Sequence, residues 1–280
     1  MAGQYQQWSK DFPHTVQHRR TTLHLHGEIP AYTRVALERL IDSPPTAKRV
    51  SAPLDCQQSE LFTKREQLDS LKKKLRVHLG NPKRSGIYDW AIEEMINTCE
   101  AQRRGARVPG LIGYGYRRSR LGLIEDFFLI TQLLRDHVDG FTVIRREPDA
   151  IRPLIDAVFE LLCSLHSDGI VHMDLWAANV MLPKEGDGPA QAIDLENCFY
   201  EPTNYFSEVL GFQLGFFYYR EMYRYITEAD YDSLVEAALD AYPTLNRPAF
   251  AETYDISKHQ DIGRLERREI FHRGVLKRRW

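Results

Sequence analysis

No run of about eighteen apolar residues occurs anywhere in the chain, so no helix of membrane-spanning length is expected. A dominant charge is missing as well. Lys and Arg together number 37 against 39 for Asp and Glu, for a net charge of −2, and no global field favours nucleic acid as a partner. Glycine is scarce where a phosphate-cradling loop would be expected. Gly27 is the only glycine between residues 4 and 79. Neither Gly-x-Gly-x-x-Gly nor the Walker A pattern occurs, which excludes a P-loop enzyme. The four cysteines, Cys56, Cys99, Cys163 and Cys198, are scattered without a Cys-x-x-Cys pair. They read as reduced thiols of a cytoplasmic protein and not as a disulfide frame or zinc ligands. Met1 to Trp8 holds no apolar signal core. His24 and His26 share a strand face, but no third ligand accompanies them, and an ordinary strand face is the expectation.

What the chain does have is concentrated in one segment. Ile170 to Leu182 reads His172-Met173-Asp174-Leu175-Trp176-Ala177-Ala178-Asn179, flanked by hydrophobic residues, and a second apolar stretch then ends at Ile193-Asp194-Leu195. His-x-Asp-Leu-x-x-x-Asn, a strand, a turn and a strand ending in Asp is the layout of a kinase-type phosphotransferase centre. Phosphoryl transfer asks a protein for positioning and charge neutralisation. Asp174 can orient an acceptor hydroxyl and take its proton. Asp194 offers Mg²⁺ a hard carboxylate, and Asn179 offers it a neutral amide oxygen. Any one of these residues alone would read as a cap or a turn; the ordered set carries the signal. His172 reads as structural. Met173 stands where many regulated protein kinases carry Arg, so no cation is expected there to receive a phosphorylated activation loop.

Around this centre, Thr21–His26, Glu60–Lys64, Leu111–Tyr116 and Phe127–Thr131 read as strands. Residues 88–105 read as a helix stopped by Gly105. Pro148–Ser167 reads as a long amphipathic helix, and Phe206–Tyr225 and Asp230–Ala241 as further helices. Residues 1–20 are expected to be a flexible segment, and residues 41–58, with three prolines, to be irregular. Lys64, at the end of its strand, is the candidate phosphate-binding lysine, with Lys48 and Lys72 as alternatives. Glu93 and Glu94 are its candidate acidic partners. Adenine would bond main-chain groups near Gln132 to Leu134, and the turn Gly27–Pro30 is the candidate cover for the phosphates. Lys72–Arg76 is a basic cluster that reads first as a solvated face and second as a contact for an anionic substrate or membrane surface.

At these residues the chain resembles the lipopolysaccharide core kinases, the Kdo/heptose kinase family of Gram-negative bacteria, which share the protein-kinase-like fold. The matching pieces span roughly residues 58–200. They are the strand with Lys64, the helix with Glu94 leading to Gly105-Ala106-Arg107-Val108-Pro109, the strand Phe128–Thr131, the helix ending Leu165-His166-Ser167-Asp168-Gly169-Ile170, the loop His172–Asn179, and Ile193-Asp194-Leu195. The opening His172-Met173-Asp174 departs from the more usual His-Arg-Asp. The spacing of Glu94 to Gly105 in that family selects Glu94 over Glu93. The resemblance implies ATP- and Mg²⁺-dependent phosphorylation of a core sugar hydroxyl, heptose or Kdo, on a glycolipid at the cytoplasmic face of the inner membrane. It gives Asp174 the role of base, Asn179 and Asp194 that of metal ligands, and Lys64 with Glu94 that of the phosphate pair.

The expected fold is α+β and two-lobed. A small antiparallel-sheet lobe with one helix (21–132) precedes a larger helical lobe (133–280), and a nucleotide suits the cleft of such a pair. A kinase acting on a protein or soluble small molecule and a non-catalytic pseudokinase scaffold are the competing readings. The complete set Lys64, Asp174, Asn179 and Asp194 speaks against the second.

Overall fold

The computed structural model describes residues 10–84, 86–185 and 188–276. Two compact units emerge: one runs to Gln102 and takes in Pro109–Arg135, and the other holds Arg103–Val108 and the chain from Asp136 onward.

The first unit is built on a six-stranded antiparallel sheet, in the order β1(His14–His18), β2(Thr21–Leu25), β5(Leu111–Arg118), β6(Ile124–Gln132), β4(Leu61–Gln67), β3(Arg49–Pro53). Its central strand explains the unbroken apolar run Phe127–Ile130. Successive side chains point to opposite faces, and both faces are covered. Phe127 and Leu129 join a core with Ile92 and Met95 of α3(Trp90–Arg103), while Phe128 and Ile130 join a second core with Ala36, Leu37 and Ile41 of α1(Ala31–Asp42). β5 lies very close to β2. A Cβ on Gly113 would sit 2.4 Å from the His24 carbonyl oxygen, and one on Gly115 would sit 2.3 Å from a Leu23 methyl.

Several expectations change here. His14–His18 is an edge strand paired with Thr21–Leu25, so the ordered sheet starts within the segment expected to be flexible; Met1–Ser9 lie outside the described residues. Residues 41–58 contain the end of α1 and the strand β3, which gains its order by pairing with β4. The unit has three helices among the described residues and not one, since Leu71–Leu79 forms α2. Ser70 caps α2 by accepting from the Lys73 amide at 3.2 Å, and Gly80, at φ 67°, ends it. β4 does not stop at Lys64 but runs on to Gln67. Arg65 and Glu66 are buried there because partners meet them: Arg65 bonds Asp126 at 3.0 Å, and Lys73 pairs with Glu66. The basic cluster 72–76 is therefore largely neutralised within the unit. Lys74 lies 3.6 Å from Glu125, and Arg76 lies 2.9 Å from Asp89. A second basic stretch in the sequence, Lys277-Arg278-Arg279, lies outside the described residues. His24 stacks on Tyr114, ring centroids 5.0 Å apart, as a packed ring of the sheet.

The second unit is mostly helical. β7(His137–Asp139) leads into α4(Gly140–Arg146), which Asp139 caps, and then into α5(Ile151–Ser167). Leu154, Ile155, Val158, Leu161, Leu162 and Leu165 form the buried stripe of α5. Two small antiparallel ladders follow: β8(Val171–His172) with β11(Cys198–Phe199), and β9(Val180–Pro183) between β7 and β10(Gln191–Ala192). α6(Phe206–Tyr219) is apolar nearly all round and is buried accordingly. It packs on α8(Arg247–His259) through Gly211 and Gly215, where a Cβ would meet the Phe250 carbonyl oxygen at 2.5 Å and the Tyr254 carbonyl oxygen at 2.7 Å. α7(Glu228–Ala238) and α9(Arg264–Arg273) complete the unit. No helix among the described residues is long and apolar enough to cross a membrane.

Candidate active site

In the first unit, Lys64 stands in the middle of β4, opposite Ser51 on β3 and Leu129 on β6. Its ammonium group is paired with the carboxylate of Glu94, one turn into α3, and lies 5.9 Å from the Trp90 ring. The Glu94 side chain is only 4% exposed, so burial weakens solvent screening and the pair fixes the direction of the lysine. Glu93 is turned away and accepts from the Tyr88 amide at 2.8 Å. Helical geometry places adjacent residues about 100° apart, so only one of the two glutamates can face the sheet. Gln132 and Leu134 lie at and just past the end of β6. The Gln132 amide donates to the Gly110 carbonyl at 2.7 Å and the Leu133 amide to the Glu60 carbonyl at 2.7 Å, so these two donors serve the sheet itself.

In the second unit, His172 is fully buried and organises the loop. The Asp174 amide donates to His172 Nδ1 at 3.2 Å, so Nδ1 carries no proton, and Nε2 donates to the Ile193 carbonyl at 3.1 Å. Burial pushes the imidazole pKa down, which keeps the ring neutral in that tautomer. One ring thus ties the start of the loop to the residue before Asp194. Gln213 of α6 donates to the His172 carbonyl at 3.2 Å. Asn179 is held from both sides: its Nδ2 donates to the Asp174 carbonyl at 2.8 Å, and its own carbonyl accepts from the Ile193 amide at 3.0 Å. The amide oxygen of Asn179 therefore remains the atom available to a cation. Asp194 adopts the left-handed conformation, φ 62° and ψ 56°, as it opens a short 3₁₀ turn. Only one other described non-glycine residue, Arg19, has a positive φ. Such backbone strain concentrates where a side chain must be aimed. Asn179 and Asp194 are both hard oxygen donors, fit for Mg²⁺, which takes one or two protein oxygens and fills its shell with phosphate oxygens and water. Among the described residues no group of three or more His, Cys, Asp and Glu side chains forms a larger metal cage.

Sequence reasoning missed the groups that grip this loop from outside it. Arg267 of α9, itself buried, sets Nη1 at 2.6 Å from Asp174 Oδ1 and at 3.3 Å from the Met173 carbonyl. Its Nε donates to the Ile262 carbonyl at 2.9 Å, and its face covers Phe216 at 4.3 Å. A cation does reach the Met173–Asp174 corner, but it comes from a helix more than ninety residues away. On the same helix, Arg264 pairs with the buried Glu196, two residues past Asp194. The only signal in the sequence was the run of arginines in 264–273, which reads equally as a solvated face.

With this geometry in view, the family can be assigned. A model of the lipopolysaccharide kinase (Kdo/WaaP) family matches residues 45–237. The chain belongs to that family. It is therefore a kinase, a phosphotransferase with an alcohol group as acceptor, and its described residues are α+β, an antiparallel sheet with many helices. Among solved structures, WaaP in complex with acyl carrier protein is similar at 19% identity over 71% of this chain and 88% of that one, with a TM-score of 0.40. A Stt7 homologue from Micromonas algae, soaked with ATP, is similar at 16% identity over 50% of this chain and 43% of that one, with a TM-score of 0.35. No curated protein matches the sequence. Arg264 and Arg267 fall outside the stretch that the family model covers.

Proposed function

We propose that this kinase transfers the γ-phosphoryl group of ATP, with Mg²⁺, to a hydroxyl of a lipopolysaccharide core sugar, heptose or Kdo. The observation that carries the reading is the fixed relation of Asp174, Asn179 and Asp194, joined by His172 and the Asn179 hydrogen bonds within a chain of this family. Lys64, held by Glu94, takes the α- and β-phosphates. The main-chain groups of Gln132–Leu134 that the sheet leaves free take the adenine edge. Asn179 and Asp194 would hold Mg²⁺, which when bound neutralises charge on the phosphates. Asp174 accepts the proton of the acceptor hydroxyl as that oxygen bonds to the γ-phosphorus and the bond to the ADP oxygen breaks. A glycolipid acceptor brings the chain to the cytoplasmic face of the inner membrane as a peripheral partner.

The test is transfer of labelled γ-phosphate from ATP in the presence of Mg²⁺ to purified lipopolysaccharide core, to bulk protein and to soluble sugars. Label in the core, lost in Asp174→Ala and on chelation of Mg²⁺, is the expected result. Label in phosphoamino acids or in a soluble metabolite, with none in the core, would refute the acceptor and leave the kinase. Asp194→Ala should weaken Mg²⁺-ATP binding in titration calorimetry; binding at wild-type strength would remove Asp194 from the metal site.

A further inference from the structure

The C-terminal end of α6 stands beside the catalytic loop. Arg220, whose amide caps the helix by donating to the Phe216 carbonyl, lays its guanidinium over the Trp176 ring, 4.5 Å from the centroid, and near Phe216 at 5.7 Å. Trp176 follows Asp174 by two residues and packs on Phe141, centroids 5.7 Å apart. The neighbouring cations are all neutralised. Arg224 lies 3.1 Å from Glu221, and Lys258 bonds Glu228 at 2.6 Å and Asp232 at 2.8 Å. Among the described residues no carboxylate is paired with Arg220, although the residue is half-buried. Arg220 also walls a cavity of about 670 Å³ together with Tyr219, Tyr223, His259, Lys258 and two carboxylates, Glu221 and Glu228, which are engaged by Arg224 and Lys258. That volume lies within the range of about 300–1,000 Å³ that small-molecule sites occupy.

We propose that this cavity is the acceptor subsite, and that Arg220 reads an anionic substituent, a carboxylate or a phosphate, on the sugar whose hydroxyl faces Asp174. Stacking on Trp176 occupies the face of the guanidinium and leaves its N–H edge for a planar two-point contact with an oxyanion. The phenol rings present apolar faces to sugar C–H groups, and their hydroxyls and Glu221 present partners to sugar hydroxyls. Arg220 links the cavity to Trp176, two residues along the chain from Asp174, and the proposal places the acceptor sugar between Arg220 and that base. The inference rests on the reading of Asp174 as the base for a sugar hydroxyl.

The experiment is steady-state transfer from ATP to delipidated core oligosaccharide in three forms: native, enzymatically dephosphorylated and carboxyl-reduced. Wild type should show an acceptor KM raised by about tenfold or more on one of the two neutralised forms, the size of a lost charged hydrogen bond. Arg220→Met should show that raised KM already on the native acceptor and no further rise on the same neutralised form. Its KM for ATP should stay at the wild-type value. Arg220→Lys should keep part of the charge dependence, and equal melting temperatures would show that the variants fold. An unchanged acceptor KM in Arg220→Met, or an equal penalty on charged and neutralised acceptors, would overturn the proposal while wild-type transfer to the core still supports the acceptor reading. No transfer by wild type to any form would refute that reading, and this inference would fall with it.

Discussion

At the scale of single residues, the proposed base is not left to its own loop. Asp174 receives three constraints: its amide is fixed on His172, its carbonyl on Asn179, and its carboxylate on Arg267. Replacing Asp174 by Ala should lower turnover by roughly 10²–10⁴-fold with little change in nucleotide affinity; turnover at the wild-type rate would remove Asp174 from its role. Arg267 acts through Asp174. Arg267→Met should lower kcat by about tenfold or more, Arg267→Lys should recover part of that, and the Met substitution should add nothing in an Asp174→Ala background. Additive losses in the double variant would make Arg267 a merely structural residue. In the first unit, Glu94→Gln should raise the KM for ATP, because Lys64 loses the carboxylate that aims it. Glu93→Gln should leave that KM near wild type, since Glu93 serves the Tyr88 amide. The reverse order would move the lysine's partner.

At the scale of elements, hydrophobic periodicity identified the strands and helices whose order is local, and failed where order comes from a partner. α3, β5, β6 and α5 carry their own stripes and match the spans read from the sequence closely. β3 and the second half of β4 do not. They are polar or proline-bearing, and only the ladder between them, with Asp126 beneath Arg65 and Lys73 beside Glu66, makes burial affordable. α8 went unread because its buried face carries Thr253, Ser257 and Lys258 beside Phe250 and Tyr254; it is the partner that α6 requires. The glycines of α6 set that contact. Gly211→Ala should destabilise the chain by about 1–3 kcal/mol, since its Cβ would sit 2.5 Å from a main-chain oxygen that cannot easily move. The melting temperature should fall by about 2–4 °C per kcal/mol. Gly27→Ala, with open space around the new Cβ, is the control that should leave it unchanged. Equal melting temperatures for both variants would refute close packing at Gly211.

At the scale of the whole molecule, buried histidines tie stability to acidity. His166 is half-buried, bonded to Tyr242 at 2.8 Å and Gln213 at 3.0 Å, and desolvation lowers its pKa from 6.5 to about 4. His172 is lowered for the same reason. The folded state thus refuses protons that the unfolded chain accepts. The contribution of His166 is complete above pH 6.5 and drains away as the pH falls towards about 4, at up to roughly 1.4 kcal/mol per pH unit, and that of His172 is lost in the same direction. Denaturant midpoints should therefore drop through that window, and His166→Gln should flatten the drop. A profile as steep in the variant as in wild type would show that His166 does not titrate on unfolding.

The sequence by itself determined the class: Asp174, Asn179 and Asp194 lie on one short stretch, with the spacing and flanking apolar residues of a kinase-type centre. It also narrowed the lysine's partner to two adjacent glutamates. The family resemblance selected Glu94, and the tertiary structure pairs that residue with Lys64 through the rotation of α3 over the sheet, which packing sets. The tertiary structure alone brought Arg267 and Arg264 to the loop and left Arg220 stacked on Trp176. An arginine on a charged helix looks the same in sequence whether its guanidinium meets water or a buried carboxylate. The difference lies in which surface the helix is folded against, and that is a long-range property of the chain.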